Sequence, residues 1–370
     1  MPRNPALALN AIAPYFTMFP LDFPLRILEQ HSRPGDAVLD PFCGRGTTSF
    51  AARVHGLESV GIDANPVAAA ITAAKLVDVE PGAIMAEAAR FMASEPAVDV
   101  PSSEFWQLAY EATVLEALCK IREGLITSCE TPVRVALRGI MLGALHGPRN
   151  VRTPSYFSNQ APRTYAPKPA YAVRFWNGRG LRPEAVDVLS IIQTRAERYF
   201  THTPSARGGM VLGDSRNAST LVSARQQLEG DDGGFSWIIT SPPYYGMRTY
   251  GPDQWLRSWF LGGPPTVAYR SADQLSHRAP RAFGADLAVV WRNVASVARP
   301  GARLVVRFGA IRDRDVDPRD LIVQSLEASP WRLLRCSPAG SAHLGKRQAD
   351  AFLRQRSTAV EELDVWCTLS

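Results

Sequence analysis

Between residues 37 and 63 the chain can adopt very few structures. Ala37-Val38-Leu39 is a short apolar run of strand type, and it ends in Asp40-Pro41-Phe42-Cys43-Gly44-Arg45-Gly46-Thr47-Thr48. Small and apolar residues from Ser49 to Val54 predict a helix, and Ser59-Val60-Gly61-Ile62-Asp63 predicts a second strand that again ends in an acid. Strand, glycine loop, helix, strand is the opening unit of a doubly wound sheet, which binds ligands at the carboxyl ends of its strands. Gly44 and Gly46 would let the backbone approach such a ligand with no side chain in between. The expected fold class is therefore α/β.

The loop is not built for phosphate. The Walker spacing and its lysine are absent, and the three-glycine dinucleotide fingerprint is incomplete. Asp40 instead suits a cationic amine, and the helix amides at Thr47 and Thr48 suit a carboxylate. A methionine-type zwitterion carries both groups. Asp63 follows Asp40 by twenty-three residues and stands at the tip of the second strand, where an acid hydrogen-bonds ribose hydroxyls. Together these features favour an adenosyl ligand. Asp214 ends a further predicted strand, Met210-Val211-Leu212, and is a candidate for the purine end of that ligand or for its pocket wall. A plain helix-capping or turn aspartate is the competing reading for Asp63 and Asp214.

A second stretch is equally constrained. In Ile238-Ile239-Thr240-Ser241-Pro242-Pro243-Tyr244-Tyr245 a buried strand runs into two prolines that prevent its continuation. The stiff corner would gather a hydroxyl, backbone carbonyls and a flat ring, a set that grips a planar group edge-on and face-on. A packed proline turn is the alternative.

The rest of the chain suggests three parts: residues 1–100 with the glycine loop, residues 101–205 as a helical and irregular basic insertion, and residues 206–370 completing the sheet. Residues 77–102 read as a linker or lid, and Ser103 to Cys119 and the run after Thr131-Pro132 as helices. Residues 131–183 hold nine Arg or Lys and no Asp or Glu, so the net charge of +6 resides here and the remainder is net acidic. Six aromatics and polar groups such as Asn159 and Gln160 are interleaved, a composition suited to nucleic acid. Arg149, Arg152, Arg163, Lys168, Arg174, Arg179 and, after the proline corner, Arg248 are the candidate DNA contacts; a solvated basic loop is the alternative. Val186 to Phe200 and Ala285 to Ala298 predict helices, Arg303 to Phe308 a strand, and Trp331 to Leu334 with Leu363 to Cys367 a closing antiparallel pair.

Several classes are disfavoured. No apolar run reaches the ~18 residues of a membrane span. The N-terminus lacks the basic-then-apolar profile of a secretory signal, and five scattered cysteines form no CxxC pair, so a reducing, cytoplasmic setting without a cysteine zinc site is expected.

The glycine loop Asp40 to Thr48 resembles the cofactor motif of S-adenosylmethionine-dependent amino-methylating DNA methyltransferases, and Thr240-Ser241-Pro242-Pro243-Tyr244 resembles their catalytic motif. The similarity spans roughly residues 14–76 and 210–310. It implies a mostly parallel sheet of the class I methyltransferase type, S-adenosylmethionine held by Thr17, Phe19, Asp40, Phe42, Gly44, Gly46, Thr47, Thr48, Asp63 and Asp214, and catalysis by Ser241, Pro242, Pro243 and Tyr244. The segment Tyr15 to Arg26, with Thr17 and Phe19, looks like the one that lines the methionine end. Serine at the head of the motif is typical of enzymes methylating the exocyclic N4 amine of cytosine; adenine-N6 enzymes more often carry Asp or Asn there, and RNA guanine-N2 enzymes Asp. The implied partners are double-stranded DNA and a cognate restriction enzyme or defence partner, with target recognition between the motifs. A non-catalytic nucleic-acid-binding module is a further alternative. An NAD-type oxidoreductase is disfavoured by the acid opening the loop and by the Ser-Pro-Pro-Tyr corner.

Overall fold

The computed structural model describes residues 4–15, 19–148, 155–162, 165–205, 207–229, 233–245, 250–267, 275, 279–309, 316–341 and 361–370. Its strands are β1 (Ala37–Asp40), β2 (Glu58–Asp63), β3 (Gly208–Leu212), β4 (Phe235–Thr240), β5 (Ala298–Gly309), β6 (Trp331–Ser341) and β7 (Glu361–Leu369). The helices are α1 (Asp22–His31), α2 (Thr47–Val54), α3 (Pro66–Ala73), α4 (Pro81–Met92), α5 (Glu104–Ala109), α6 (Ala112–Thr127), α7 (Pro132–Ala144), α8 (Pro169–Gly178), α9 (Val188–Phe200), α10 (Ala218–Arg225), α11 (Tyr250–Asp253), α12 (Trp255–Phe260), α13 (Pro280–Ala295) and α14 (Pro318–Glu327).

The chain forms two compact units. One comprises Met1–Phe16, Ala73–Ser205 and Thr249–Ser271; the other comprises Thr17–Thr72, Ala206–Arg248 and Ala272–Ser370. Residues 73–100 and 249–271 are thus grouped with the helices rather than with the sheet.

The sheet unit holds all seven strands in the order β3-β2-β1-β4-β5-β7-β6. β1 to β5 pair in parallel, and β7 runs antiparallel to both β5 and β6. This is the doubly wound, mostly parallel sheet of the class I methyltransferase type. Every residue of β1 and β4 is buried, as expected for strands covered on both faces. Leu39, Ile238, Leu304 and Val306 pack with α10, α13 and α14 through Leu221, Phe283, Leu287, Trp291 and Ile322. Val38, Trp237, Ile239 and Val305 face α1 and α2 through Phe23, Ile27, Leu28, Ala51 and Ala52. Each buried Val, Leu, Ile or Phe among them contributes about 1.5–3 kcal/mol. One charge is embedded on the α1 face. Arg307 is buried, forms a two-pronged pair with Asp364 at 2.8 and 2.9 Å, and lies 3.8 Å from the centroid of Phe23. Asp364 stands directly opposite Arg307 in the β5–β7 register.

The helical unit is centred on tryptophans. Trp106 lies 4.3 Å from Trp259 and 5.7 Å from Trp255, and Phe105 lies 5.4 Å from Trp176. Three indole N–H groups reach carbonyls: Trp106 to Pro265, Trp176 to Gln160 and Trp255 to Pro167, at 3.0–3.2 Å. The run expected as one helix from Ser103 to Cys119 is two. Glu111 breaks it by capping α6, its carboxylate accepting from the Thr113 and Val114 amides at 2.8 and 3.3 Å. The linker read at 77–102 contains α4, and the irregular basic stretch contains α8. Pro81 and Pro169 occupy the first helical turn, where the missing N–H costs nothing. Among the described residues no helix is long and apolar enough to cross a membrane.

Candidate active site

The strand order reverses between β1 and β4: β1 leads outward to β2 and β3, β4 to β5. A doubly wound sheet opens a crevice at this switch point, beyond the carboxyl ends of its strands. Asp40 ends β1, Asp63 ends β2 and Thr240 ends β4, so both stretches singled out in the sequence meet at one edge of one unit. The Thr240 hydroxyl donates to Asp40 Oδ1 at 2.6 Å and joins them directly. Thr240 opens the catalytic motif in the sequence, but its bond to Asp40, 200 positions away, is not readable there.

The glycine loop is folded by its own backbone. The Cys43 amide donates to the Ile62 carbonyl at 3.0 Å, and the Gly46 amide to the Cys43 carbonyl at 2.7 Å. Gly44 and Gly46 have φ of +52° and +73°, in the left-handed region that side chains disfavour. Their surroundings differ. A Cβ on Gly46 would lie 2.7 Å from Thr72 Oγ1, whereas one on Gly44 would meet nothing within 4 Å. The Thr72 hydroxyl also holds the loop, donating to the Gly44 carbonyl at 3.0 Å.

Asp40 is buried. Its Oδ1 also accepts from the Phe42 amide at 3.1 Å, while Oδ2 has no hydrogen-bond partner among the described residues. Burial pushes its carboxyl up to about 6, against the pull of its hydrogen bonds, and the charge of Asp63 adds to the rise. Burial also lifts Asp63 to about 6, opposed by the amides of Asn65 and Gly44. These amides donate to Asp63 Oδ1 and Oδ2, both at 2.8 Å. A carboxylate oxygen accepts two hydrogen bonds, so each oxygen of Asp63 keeps capacity for a ribose hydroxyl. An unmatched buried acceptor at Asp40, open space beside Gly44 and the unpaired first-turn amides of α2 fit a ligand bearing an amine and a carboxylate.

Thr47 and Thr48 are buried at the start of α2, and the Thr48 hydroxyl donates to the Ile239 carbonyl at 3.1 Å, tying α2 to β4. Phe42 packs edge-on against Trp291, and Phe19 edge-on against Phe23. Asp214 follows β3. Burial would raise its carboxyl, but the Arg216 guanidinium and amide outweigh this and hold it below the usual carboxylate range. Arg216 grips Asp214 at 2.6 Å and reaches Asp286 at 3.1 Å, so this edge presents an ion-paired acid. Thr17 lies outside the described residues.

Ser241, Pro242, Pro243 and Tyr244 follow β4. Ser241 and Tyr244 are half-buried and Pro242 is buried. The Tyr244 hydroxyl donates to Glu362 Oε1 at 2.5 Å, and its ring meets Phe308 at 81°. Tyr245 is a core residue, packed on Phe283. Sequence reasoning passes over Glu362. It stands opposite Gly309 at the start of β7, which runs antiparallel and so begins at the edge where the parallel strands end.

All the candidate DNA contacts except Arg248, which falls in the sheet unit, belong to the helical unit. Lys168 precedes α8, and Arg174 and Arg179 are exposed on or just after it. Arg149, Arg152, Arg163 and Arg248 lie outside the described residues. Other members of the basic segment face inward. Arg134 bonds Glu87 at 2.6 Å and the Ser128 carbonyl at 3.1 Å. The Asn159 and Gln160 amides donate to the Tyr156 and Leu108 carbonyls, and Phe157 and Trp176 are core. Asn159, Gln160 and these two rings are therefore corrected from surface contacts to packing. Among the described residues no cluster of His, Cys, Asp or Glu could hold a metal ion.

Residues 3–74 match the model of the N6/N4 methyltransferase family, described as DNA methylase. The match contains the whole β1–α2–β2 unit and its loop. With the fold, it makes S-adenosylmethionine the expected cofactor. No curated protein matches the chain. Similar solved structures include the rRNA methyltransferase aviRa from Streptomyces viridochromogenes, at 14% identity over 99% of this chain and 94% of that one, with a TM-score of 0.37. A methyltransferase from Methanosarcina mazei is similar at 10% identity over 95% and 98%, TM-score 0.36. TrmN from Thermus thermophilus is similar at 10% over 95% and 48%, TM-score 0.33. At such TM-scores these likenesses add nothing to the strand order already described.

Proposed function

We propose that this chain transfers the methyl group of S-adenosylmethionine to the exocyclic N4 amine of cytosine within a specific DNA sequence. The observation that carries the reading is the junction of the two motifs, the Thr240–Asp40 hydrogen bond at the switch point. It sets the Ser241-Pro242-Pro243-Tyr244 corner one residue from a carboxylate whose second oxygen lacks a partner among the described residues.

Asp40 would take the cationic methionine end, Asp63 the ribose hydroxyls, and the α2 amides the carboxylate. When bound, S-adenosylmethionine supplies an electrophilic methyl on a sulfonium. The chain has to present an amine nitrogen to it in a fixed orientation. Such an amine is a poor nucleophile because its lone pair is delocalised into the base. Ser241 Oγ and the Pro242 carbonyl can each accept one of its N–H groups and so return electron density to the nitrogen. Pro242 and Pro243 hold both acceptors in a stiff corner. Tyr244, its plane fixed by Phe308 and Glu362, can stack on the base. A paired base cannot enter such a corner, so the target must be flipped out of the duplex. Lys168, Arg174 and Arg179 would hold phosphates meanwhile.

The hydroxyl of Ser241 favours cytosine. Adenine N6 is the second reading, because the family matched at residues 3–74 takes in both N6 and N4 enzymes. Methyl mapping of genomic DNA from cells expressing the wild type or Ser241→Ala tests the proposal. Cytosine amines modified at one short sequence, and lost in the variant, are expected. Methyl groups only on adenine, on ring carbon or on RNA would refute it.

A further inference from the structure

We infer that the exposed face of α8 is a stacking platform for unpaired bases of a nucleic-acid strand. The inference rests on nucleic acid being the substrate class and deepens it: the α8 cations already assigned to phosphates flank a ring file that takes unpaired bases.

α8 has two faces. Ala172 and Trp176 are buried and dock it, with the Trp176 indole donating to Gln160 and packing on Phe105. Tyr171, Phe175 and Arg179 recur every fourth residue along another face. The Tyr171 and Phe175 rings lie 6.0 Å apart and 27° from parallel. The Arg179 guanidinium sits 3.9 Å from the Phe175 centroid. Three flat groups therefore stand in one file, and Tyr171 at its end is 61% exposed. It is the one Phe, Tyr or Trp among the described residues that stands mainly in solvent.

A Phe–Arg pair four residues apart stabilises a helix and accounts for Phe175 and Arg179. It does not account for a tyrosine ring held parallel to that pair with most of its surface in water. The surrounding charge selects the occupant. Lys168, Arg174, Arg179 and Arg182 are exposed along and beside α8, and residues 131–183 contain no acid. Glu104, which reaches α8 from α5, is engaged, accepting from the Asn177 amide at 2.8 Å. Cations surrounding a ring file match a strand with phosphates outward and bases unstacked, because every base offers a π-face. A lipid surface or an apolar protein partner would require more exposed apolar area than one tyrosine.

The test is fluorescence anisotropy of the full chain with labelled single strands of DNA and RNA, and with the duplex, over a salt series. Tyr171→Ala should weaken single-strand binding about tenfold. It should leave the salt slope and duplex affinity within about twofold of wild type. Tyr171→Phe should bind as wild type, and Tyr171→Leu, which keeps apolar area, should bind as Tyr171→Ala. Arg174→Ala with Arg182→Ala should reduce the single-strand slope by about 1.4. Coincident thermal melting shows that the variants fold. Dependence on Tyr171 confined to RNA supports the platform and turns the proposed methyl acceptor from DNA to RNA. Single-strand affinity unchanged in Tyr171→Ala, or absent in the wild type, overturns the platform even if methyl transfer proceeds. Tyr171-dependent binding without methyl transfer supports the platform and refutes the proposed activity.

Discussion

Gly44 and Gly46 look interchangeable in sequence, yet the structure predicts different consequences for the same substitution. Both have positive φ, so alanine at either carries the left-handed penalty of about 1–2 kcal/mol. At Gly46 the new Cβ would also lie 2.7 and 2.8 Å from Thr72 Oγ1 and Cγ2. Thr72 is fully buried and donates to the Gly44 carbonyl, so it cannot turn away without breaking that bond. Overpacking of this kind adds about 1–3 kcal/mol. Gly46→Ala should therefore lose about 3 kcal/mol of stability, and Gly44→Ala about 1 kcal/mol. At Gly44 the methyl projects into open space at the loop, where it would meet the ligand rather than the protein. Its larger effect should fall on S-adenosylmethionine affinity. Urea unfolding at constant m-value measures the first quantity, and calorimetry with S-adenosylmethionine the second. Equal stability of the two variants within about 0.5 kcal/mol, well under the difference set by the overpacking contribution, would refute the loop geometry. Wild-type affinity in Gly44→Ala would refute the placement of the ligand.

Three further outcomes follow from the buried charges and the Tyr244 contact. Asp40 and Asp63 are raised to about 6 from 3.8, so the native state binds more protons than the unfolded chain between these values. Their contribution to stability is complete below about pH 4 and is lost as pH rises through 6, by up to about 1.4 kcal/mol per unit for each group. Asp40→Asn should weaken this dependence in pH-resolved unfolding. A ligand that brings positive charge to Asp40 should bind more tightly as pH rises through 6, with proton release seen as buffer-dependent heat. Tyr244→Phe removes the hydrogen bond to Glu362 and should lower stability by about 1 kcal/mol; an unchanged melting midpoint would show that the pair contributes nothing. Asp364→Ala strands the buried Arg307 and should cost about 3–5 kcal/mol, whereas the double change Arg307→Met with Asp364→Leu should restore much of it; no recovery would refute the ion-pair account.

What was legible in the sequence has local causes. The β1–loop–α2–β2 unit was readable because strand, glycine and acid each constrain their own few residues. The β4 corner was readable because two prolines can only end a strand. The closing pair β6–β7 was visible as apolar runs. Long-range geometry was not. Glu362 lies 118 positions from Tyr244 and joins it only because β7 runs antiparallel. Pro81 and Pro169 open helices inside stretches that the sequence presents as linker and irregular, since a proline that starts a helix and one that ends it are the same letter. Counting charge across residues 131–183 could not distinguish Arg134, paired with Glu87, from Arg174 in solvent. Nor could a linear reading place residues 249–271 in the helical unit, because they follow the catalytic corner in sequence.

The central claim is the identity of the methylated atom. Purified chain, duplex DNA rich in sequence variety and S-adenosylmethionine carrying an isotopically labelled methyl would be incubated together, and the DNA then digested to nucleosides for mass spectrometry. Label is expected in N4-methyldeoxycytidine, lost in Ser241→Ala although that variant still binds S-adenosylmethionine. Label in N6-methyldeoxyadenosine or 5-methyldeoxycytidine instead, or no label on DNA when RNA becomes labelled, would contradict it.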